Sequence, residues 1–173
     1  MIVCLALMFA ASSDGSAWAA EDGVTWEARA TDSRFVATME GRTLGVYRST
    51  PNPKKPYLEQ LCTPEGQQVL LDSPADHVHH HGLMFALSVD GGSYWEEGDR
   101  GGRQSVVDTK VSGQGMLLQT LRWIDPQGNA KLHEQRRIHL SQTADATWLT
   151  WKSTLTVPDA IDQVVLGGSH YYG

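Results

Sequence analysis

One short segment concentrates most of the side chains that could do chemistry. Asp76-His77-Val78-His79-His80-His81-Gly82 holds four of the seven histidines of the chain, with a carboxylate beside them. Imidazoles ligate transition metals such as zinc, copper and iron, and they exchange protons near neutral pH. The segment therefore predicts either a site for one transition metal ion or a site for acid–base chemistry or sugar hydrogen bonding. A purely structural role for the histidines is the third alternative.

The spacing of the histidines divides them into two groups if the segment is extended. Successive side chains of a strand point to opposite faces, so His77, His79 and His81 would share one face and His80 would point to the other. The predicted metal ligands are therefore His77, His79 and His81. His77, His79 and His80 are predicted to line a pocket, in which His77 and His80 act as catalytic acid–base groups.

A second cluster lies in the glycine-containing segment 91–99. Trp95 could stack on the face of a sugar, and Glu96 or Glu97 could accept hydroxyl protons or bind a cation. Upstream, Lys54-Lys55-Pro56-Tyr57 could present a cation and an aromatic ring to the same mouth. Glu96 is therefore a predicted catalytic residue, and Tyr57, Trp95 and Glu97 are predicted to bind substrate. The alternative is an exposed acidic loop that Trp95 anchors in the core.

The elements that must position these residues have the twofold periodicity of strands. From residue 147, Leu149, Trp151 and Leu155 alternate with more polar positions, which is typical of a strand with one buried face. Segments rich in glycine, proline, asparagine and aspartate separate similar runs, and 125–129 predicts a hairpin turn. The sequence therefore predicts an all-β antiparallel sandwich or supersandwich. The predicted strands are 34–39, 43–48, 57–62, 83–89, 116–124, 132–140, 147–157 and 163–172.

The two ends of the chain lead to two further predictions. Residues 2–11 are almost purely apolar and Ala17-Trp18-Ala19 offers a cleavage site, so residues 1–19 are predicted to be a signal peptide. Residues 20–173 would then form a single β-sandwich domain of a periplasmic or secreted protein. Because an apolar strand at the C-terminus would be left at a sheet edge, the chain is predicted to be a fragment that lacks further strands.

Composition excludes several functional classes. The chain has 20 acidic and 14 basic residues and a net charge of −6, which argues against a nucleic-acid partner held by bulk charge. No apolar run in residues 20–173 approaches the length of a membrane span, so no transmembrane segment is predicted in the mature chain. Cys62 is the one cysteine left after cleavage, and its apolar neighbours favour a buried, unreactive thiol.

Several short motifs together resemble a bacterial family that is catalogued as PmoA. The residues are Lys55-Pro56-Tyr57, then Leu61-Cys62-Thr63-Pro64-Glu65-Gly66, then the histidine segment 76–82, and finally Tyr94-Trp95. They are similar, in order, to the family pattern KPY, LxTPxG, DHPHHRG and an aromatic residue followed by tryptophan. The resemblance covers about residue 34 to the C-terminus. Val78 stands where the family prefers proline, and His81 where it usually has arginine.

The resemblance implies a carbohydrate-related function. Its β-rich pattern is similar to galactose-mutarotase-like supersandwiches, in which a histidine gives a proton to the sugar ring oxygen and a carboxylate takes one from the anomeric hydroxyl. Here that carboxylate would be Glu96 or Glu97, or it would lie in the part that the predicted fragment lacks. The leading prediction is a protein that binds or transforms a carbohydrate or another small molecule. The alternatives are a metal-dependent oxygenase-like enzyme, as the family label suggests, and a noncatalytic carbohydrate-binding module.

Overall fold

The described part of the protein is built from strands and turns. The computed structural model describes the backbone of residues 4–7, and residues 23–29, 33–49, 54–112 and 115–168. No helix occurs among these residues. The strands are β1 (Cys4–Leu7), β2 (Thr25–Arg29), β3 (Arg34–Met39), β4 (Arg42–Arg48), β5 (Tyr57–Leu61), β6 (Leu83–Met84), β7 (Ser88–Val89), β8 (Gly92–Ser93), β9 (Arg103–Val111), β10 (Met116–Ile124), β11 (Ala130–Gln142), β12 (Thr147–Thr156) and β13 (Leu166–Gly167).

Two five-stranded sheets form the layers of a β-sandwich. The first has the strand order β1-β12-β11-β10-β9 and the second β2-β3-β4-β5-β6, while β13, β7 and β8 form a small third sheet. All neighbouring strands are antiparallel except β1 and β12, which are parallel. The all-β antiparallel sandwich predicted from the sequence is therefore confirmed for the described residues.

The core lies between the two large sheets, where the alternating apolar residues of both meet. Alternation places Leu149 and Trp151 inside and leaves Trp148 41% exposed, as the sequence predicts for β12. Cys62 is also buried, as predicted. The principal core side chains are Val24, Trp26, Ala37, Leu44, Tyr47, Leu58 and Leu61 from one layer, and Leu117, Ile138, Leu140, Leu149 and Trp151 from the other.

A buried polar network connects the two large sheets near the start of β5. Arg136 on β11 donates to the Tyr47 hydroxyl over 2.9 Å and to the Gln104 side chain over 2.8 Å. It also donates to the Pro56 carbonyl, immediately before β5, over 3.3 Å. Burial raises the pKa of Tyr47 to about 12, so its hydroxyl stays protonated and donates to Gln119. The network ties the start of β5 to the centre of the opposite sheet.

The predictions for the two chain ends lie mostly outside the described residues. Of the signal peptide predicted over residues 1–19, the structure describes only the backbone of Cys4–Leu7, so this remains a prediction. The strand predicted over 163–172 is described only to residue 168, where Leu166–Gly167 pairs with Ser88–Val89. No helix among the described residues has the length and apolar character needed to cross a membrane.

Candidate functional site

The histidine segment lies in the connection between β5 and β6 and is folded into consecutive turns. The His77 amide donates to the Pro74 carbonyl and the His80 amide donates to the His77 carbonyl, each over 2.9 Å. The segment is therefore not extended, so the condition under which the histidines would divide into the two groups is not met. Because turns do not alternate side chains as a strand does, the grouping of the histidines also changes.

Three of the imidazoles form an exposed to half-buried cluster, which we call the imidazole patch (His77, His79 and His80). The rings of His77 and His80 are stacked with centroids 4.7 Å apart, and the His79 ring meets the His80 ring edge-on at 4.6 Å. The His80 ring also lies 5.4 Å from the Trp95 ring. The structure thus brings together the three histidines predicted to line a pocket, and it places Trp95 beside them.

Hydrogen bonds within the loop fix the shape of the patch. The Ser73 amide donates to the His80 carbonyl over 2.8 Å, and the Ser73 hydroxyl donates to the Val78 carbonyl over 2.7 Å. Gly82 ends the loop with a φ of +32°, where a Cβ atom would lie 2.1 Å from the Leu58 carbonyl oxygen. Only glycine allows this close approach to β5, which explains the glycine after the histidines.

The two stacked imidazoles have different electrostatic surroundings. Burial of the ring, and then the charges on His79 and His77, hold the pKa of His80 below its ordinary value of 6.5. His77 instead has the Asp76 carboxylate 3.2 Å from its Nδ1 atom. Hydrogen bonds from its own backbone amide and from His77 hold the pKa of Asp76 below its ordinary value. The surroundings therefore favour the neutral form of His80, whereas His77 has a carboxylate beside its ring.

His81 bridges two carboxylates. Its Nδ1 atom lies 2.7 Å from Asp72 Oδ1, and its Nε2 atom lies 3.1 Å from Glu97 Oε1. The side chain is only 6% exposed. Asp72 precedes the turns, whereas Glu97 belongs to the connection between β8 and β9. One buried imidazole therefore joins the two loops of the site.

A buried lysine completes the charges at this bridge. Lys55 has no exposed surface, and its ammonium donates to Glu97 Oε1 over 2.8 Å and to the Trp95 carbonyl over 2.7 Å. Burial lowers the pKa of Lys55 from its ordinary value, and the bond to Glu97 acts in the opposite direction. Lys55 therefore holds the second loop, including Trp95, against the start of β5.

Tyr57 contacts both His81 and Asp72. Its ring stacks on the His81 ring at 4.7 Å, and its hydroxyl donates to Asp72 Oδ2 over 3.2 Å. The residue is 2% exposed, and burial followed by the Asp72 charge raises the pKa of its hydroxyl. The structure thus places Tyr57 and Glu97, both predicted to bind substrate, behind the imidazole patch as parts of its support.

An open hollow of about 500 Å³ lies beside the second loop. Glu96, the predicted catalytic carboxylate, lines it and is exposed. Glu96 directly follows Trp95 in the chain, and none of the residues that line the hollow is a histidine. The other lining residues are Ser93, Gly98, Asp99, Arg100 and Gly101.

The structure does not bring the predicted metal ligands around one point. His77 and His79 belong to the patch, but both ring nitrogens of His81 lie within bonding distance of carboxylates. Among the residues described here, no group of three or more His, Cys, Asp or Glu side chains is arranged to hold a metal ion. The extended conformation that suggested this ligand set is replaced by turns.

Sequence reasoning missed Asp72, and it suggested that Lys55 presents a cation to the mouth of the site, whereas the Lys55 side chain is buried. Asp72 is a single carboxylate after an apolar pair, and no motif in the sequence links it to His81. Lys55 belongs to a lysine pair that composition alone would place in solvent, although the proline that follows it fixes the local backbone. Only the fold shows that Asp72 contacts His81 and that Lys55 contacts Glu97, the second partner of His81.

Comparison with known proteins then identifies a family. The model of DUF6807, described as a family of unknown function, matches residues 34–173. The chain belongs to this family. Searches of curated proteins and of solved structures found no match. The DUF6807 description carries no activity, so the resemblance to PmoA proteins remains a prediction.

Proposed function

We propose that the protein binds a carbohydrate at the imidazole patch and catalyses proton transfer at its anomeric centre, as a mutarotase or epimerase does. The observation that carries this proposal is the stacked pair of His77 and His80 beside the Trp95 ring. Two imidazoles in different electrostatic surroundings can divide the roles of acid and base. The adjacent indole supplies an apolar surface of the kind on which a sugar ring packs.

The chemistry of each imidazole follows from its neighbours. His80, with its lowered pKa, is neutral near pH 7 and accepts the proton of the anomeric hydroxyl. His77, with the Asp76 carboxylate at its Nδ1 atom, donates a proton to the ring oxygen. The bond between the anomeric carbon and the ring oxygen breaks, and an open-chain aldehyde forms. Ring closure on the other face returns both protons to their donors.

Glu96 completes the site as a hydrogen-bond acceptor for the sugar hydroxyls. It is exposed in the hollow, whereas the Glu97 carboxylate already accepts from Lys55 and lies beside His81. Of the two carboxylates suggested by the sequence, Glu96 is therefore the one with access to a ligand. His80 takes the role of base that the resemblance assigns to a carboxylate.

The test is anomer interconversion followed by proton NMR with α-D-glucose and α-D-galactose. We expect the wild-type protein to accelerate the exchange above buffer, and His80→Ala and His77→Gln each to reduce the enzymatic rate about a hundredfold. His133→Gln is the matched control, since His133 is exposed on β11 outside the site. Equal rates for the wild type and His80→Ala would exclude this catalytic role.

The same samples distinguish the two alternative functions. Sugar binding without accelerated interconversion favours a noncatalytic carbohydrate-binding module. Elemental analysis that finds about one equivalent of copper, iron or zinc favours the metal-dependent oxygenase-like alternative. Neither result is expected if the patch acts by proton transfer alone.

We also propose that the protein is exported. Support comes from the apolar segment 2–11 and the cleavage pattern Ala17-Trp18-Ala19. Mass spectrometry of the protein recovered from a periplasmic fraction should show a chain that begins at Ala20. A protein that keeps Met1 and stays in the cytoplasmic fraction would contradict this.

A further inference from the structure

We propose that His81 is a positioning residue that donates hydrogen bonds from both ring nitrogens to carboxylates on two loops, and so holds the imidazole patch against Trp95. The role deepens the proposed function and rests on it for the catalytic readout. The structural part of the proposal stands on the bridge itself.

The first half of the bridge closes the loop that carries the patch. Asp72 and His81 lie at the two ends of this loop, and Nδ1 of His81 is 2.7 Å from Asp72 Oδ1. The Ser73 hydroxyl also lies 3.2 Å from the same nitrogen. His77, His79 and His80 are therefore held between two residues that are bonded to each other.

The second half of the bridge reaches the loop that carries Trp95. Nε2 of His81 lies 3.1 Å from Glu97 Oε1 and is hydrogen-bonded to Glu97 Oε2 over 3.4 Å, and the Lys55 ammonium donates to Oε1 over 2.8 Å. Lys55 also binds the Trp95 carbonyl. A continuous series of contacts thus links the two loops of the site. It runs from Asp72 through His81, Glu97 and Lys55 to Trp95.

The chemistry of the ring suits this role. A neutral imidazole has one N–H group, so a ring that donates to two carboxylates is an imidazolium. Its single positive charge, together with that of Lys55, balances the charges of Asp72 and Glu97. The flat face of the ring packs on Tyr57, which fixes its plane. Because His81 is almost fully buried, the hydrogen bonds between its ring and the two carboxylates are stronger than they would be in water.

Substitution of His81 by arginine or by glutamine distinguishes a hydrogen-bonding role from one of simple space filling. Arginine has a planar cation that can stack on Tyr57 and donate in two directions. Glutamine is neutral and presents its amide oxygen, an acceptor, to one of the two carboxylates. We therefore expect His81→Arg to preserve the bridge and His81→Gln to break it.

The experiment measures hydrogen–deuterium exchange of the full chain by mass spectrometry, in peptides that cover 72–82 and 93–102. His81→Gln should speed exchange about tenfold in both peptides, whereas His81→Arg should stay within about twofold of the wild type. Asp72→Asn should loosen 72–82 alone and Glu97→Gln should loosen 93–102 alone. These two variants supply the same test if His81→Gln does not fold. Val78→Ala, exposed on the same loop, is the control.

The outcomes separate this proposal from the proposed function. Unchanged exchange in 93–102 for His81→Gln, or for Glu97→Gln where His81→Gln does not fold, would overturn the bridge, whatever the catalytic result. Anomer interconversion adds the readout that simple loss of packing would not give: His81→Arg should keep most of the wild-type rate and His81→Gln should lose most of it. A wild type without activity, with the expected exchange pattern, overturns the proposed function and leaves the bridge supported.

Discussion

Glu134 and Arg136 form an ion pair inside the sandwich in which neither side chain has exposed surface, with Arg136 Nε 2.8 Å from Glu134 Oε1. The two residues are two positions apart on β11, so both point to the same face. Trp123 and Ser153 also donate to the carboxylate, over 2.7 and 2.6 Å. A charged pair with this many partners is tolerated in a core because every strong donor and acceptor around it is used.

The first prediction concerns the removal of one member of this pair. Arg136→Met leaves the Glu134 carboxylate buried without its counter-charge and should lower the free energy of unfolding by about 3–5 kcal/mol. The double variant Glu134→Leu/Arg136→Met should recover a large part of that loss. Urea unfolding gives both values. Arg137→Met, at the next and exposed position, should change stability by less than about 0.5 kcal/mol, and an equal loss there would contradict the argument.

The second prediction concerns the glycine that ends the histidine loop. Gly82→Ala would place a Cβ atom 2.1 Å from the Leu58 carbonyl oxygen at a φ of +32°. The loop must then move away from β5, and we expect a loss of about 1–3 kcal/mol in thermal or urea unfolding. Gly98→Ala is the control, because a Cβ atom at Gly98 would meet nothing within 4 Å and the φ there is not positive. Similar losses for both would show that the close approach to Leu58 is not responsible.

Sequence periodicity predicted most strands of the two large sheets, since each buries one face. The predicted 34–39 and 116–124 coincide with β3 and β10, and the turn at 125–129 joins β10 to β11 as expected. β9 (Arg103–Val111) was missed. A register shift opposite Thr120 and Leu121 leaves Val107 without a register partner on β10, and this irregularity interrupts the alternation of β9. The predicted strand 83–89 is divided into β6 and β7 with irregular chain between them.

The site was only partly predictable for a different reason. The types of residue identified His77, His80 and Trp95, because imidazoles and indoles are uncommon and grouped in this chain. Their geometry depended on turns that strand periodicity cannot show. The partners of His81 come from positions 9 and 16 residues away, and such long-range pairs leave no local pattern. Sequence reasoning therefore identified a group of candidate residues but not the charged side chains that hold them in place.

The third prediction is a pH-dependent contribution of Glu59 to stability. Arg34 donates to both of its carboxylate oxygens, over 2.6 and 2.9 Å, and Arg48 adds a bond of 3.1 Å. The Arg34 bonds, and then those from Arg48, hold the pKa of Glu59 below its ordinary value of 4.5, although partial burial acts against them. The contribution is therefore complete above the unfolded pKa and is lost as the pH falls through the lower folded pKa.

Glu59→Gln should accordingly lower the free energy of unfolding at pH 7 by about 1 kcal/mol, a figure kept small because these pairs are partly exposed and solvent screens them. The difference from the wild type should shrink as the pH falls below about 4. Urea unfolding at several pH values measures it. Glu27→Gln, at an exposed position of β2, is the control. A constant difference between the wild type and Glu59→Gln across this range would show that the carboxylate charge is not involved.

The fourth prediction is the titration of His80. Its pKa lies below the ordinary value of 6.5, so the C2 proton of its ring should titrate in NMR spectra with a midpoint below 6.5. His80 binds its proton more tightly in the unfolded chain than in the folded protein. Protonation of His80 below about pH 6.5 therefore lowers the free energy of unfolding. If His80 is the base of the proposed reaction, the catalytic rate should fall on the acid side with the same midpoint.

His79→Gln removes one neighbouring charge and should move the midpoint of His80 upward, although burial of the ring, the larger cause, keeps it below 6.5. A midpoint at or above 6.5 in the wild type would contradict the electrostatic argument for His80 as a base.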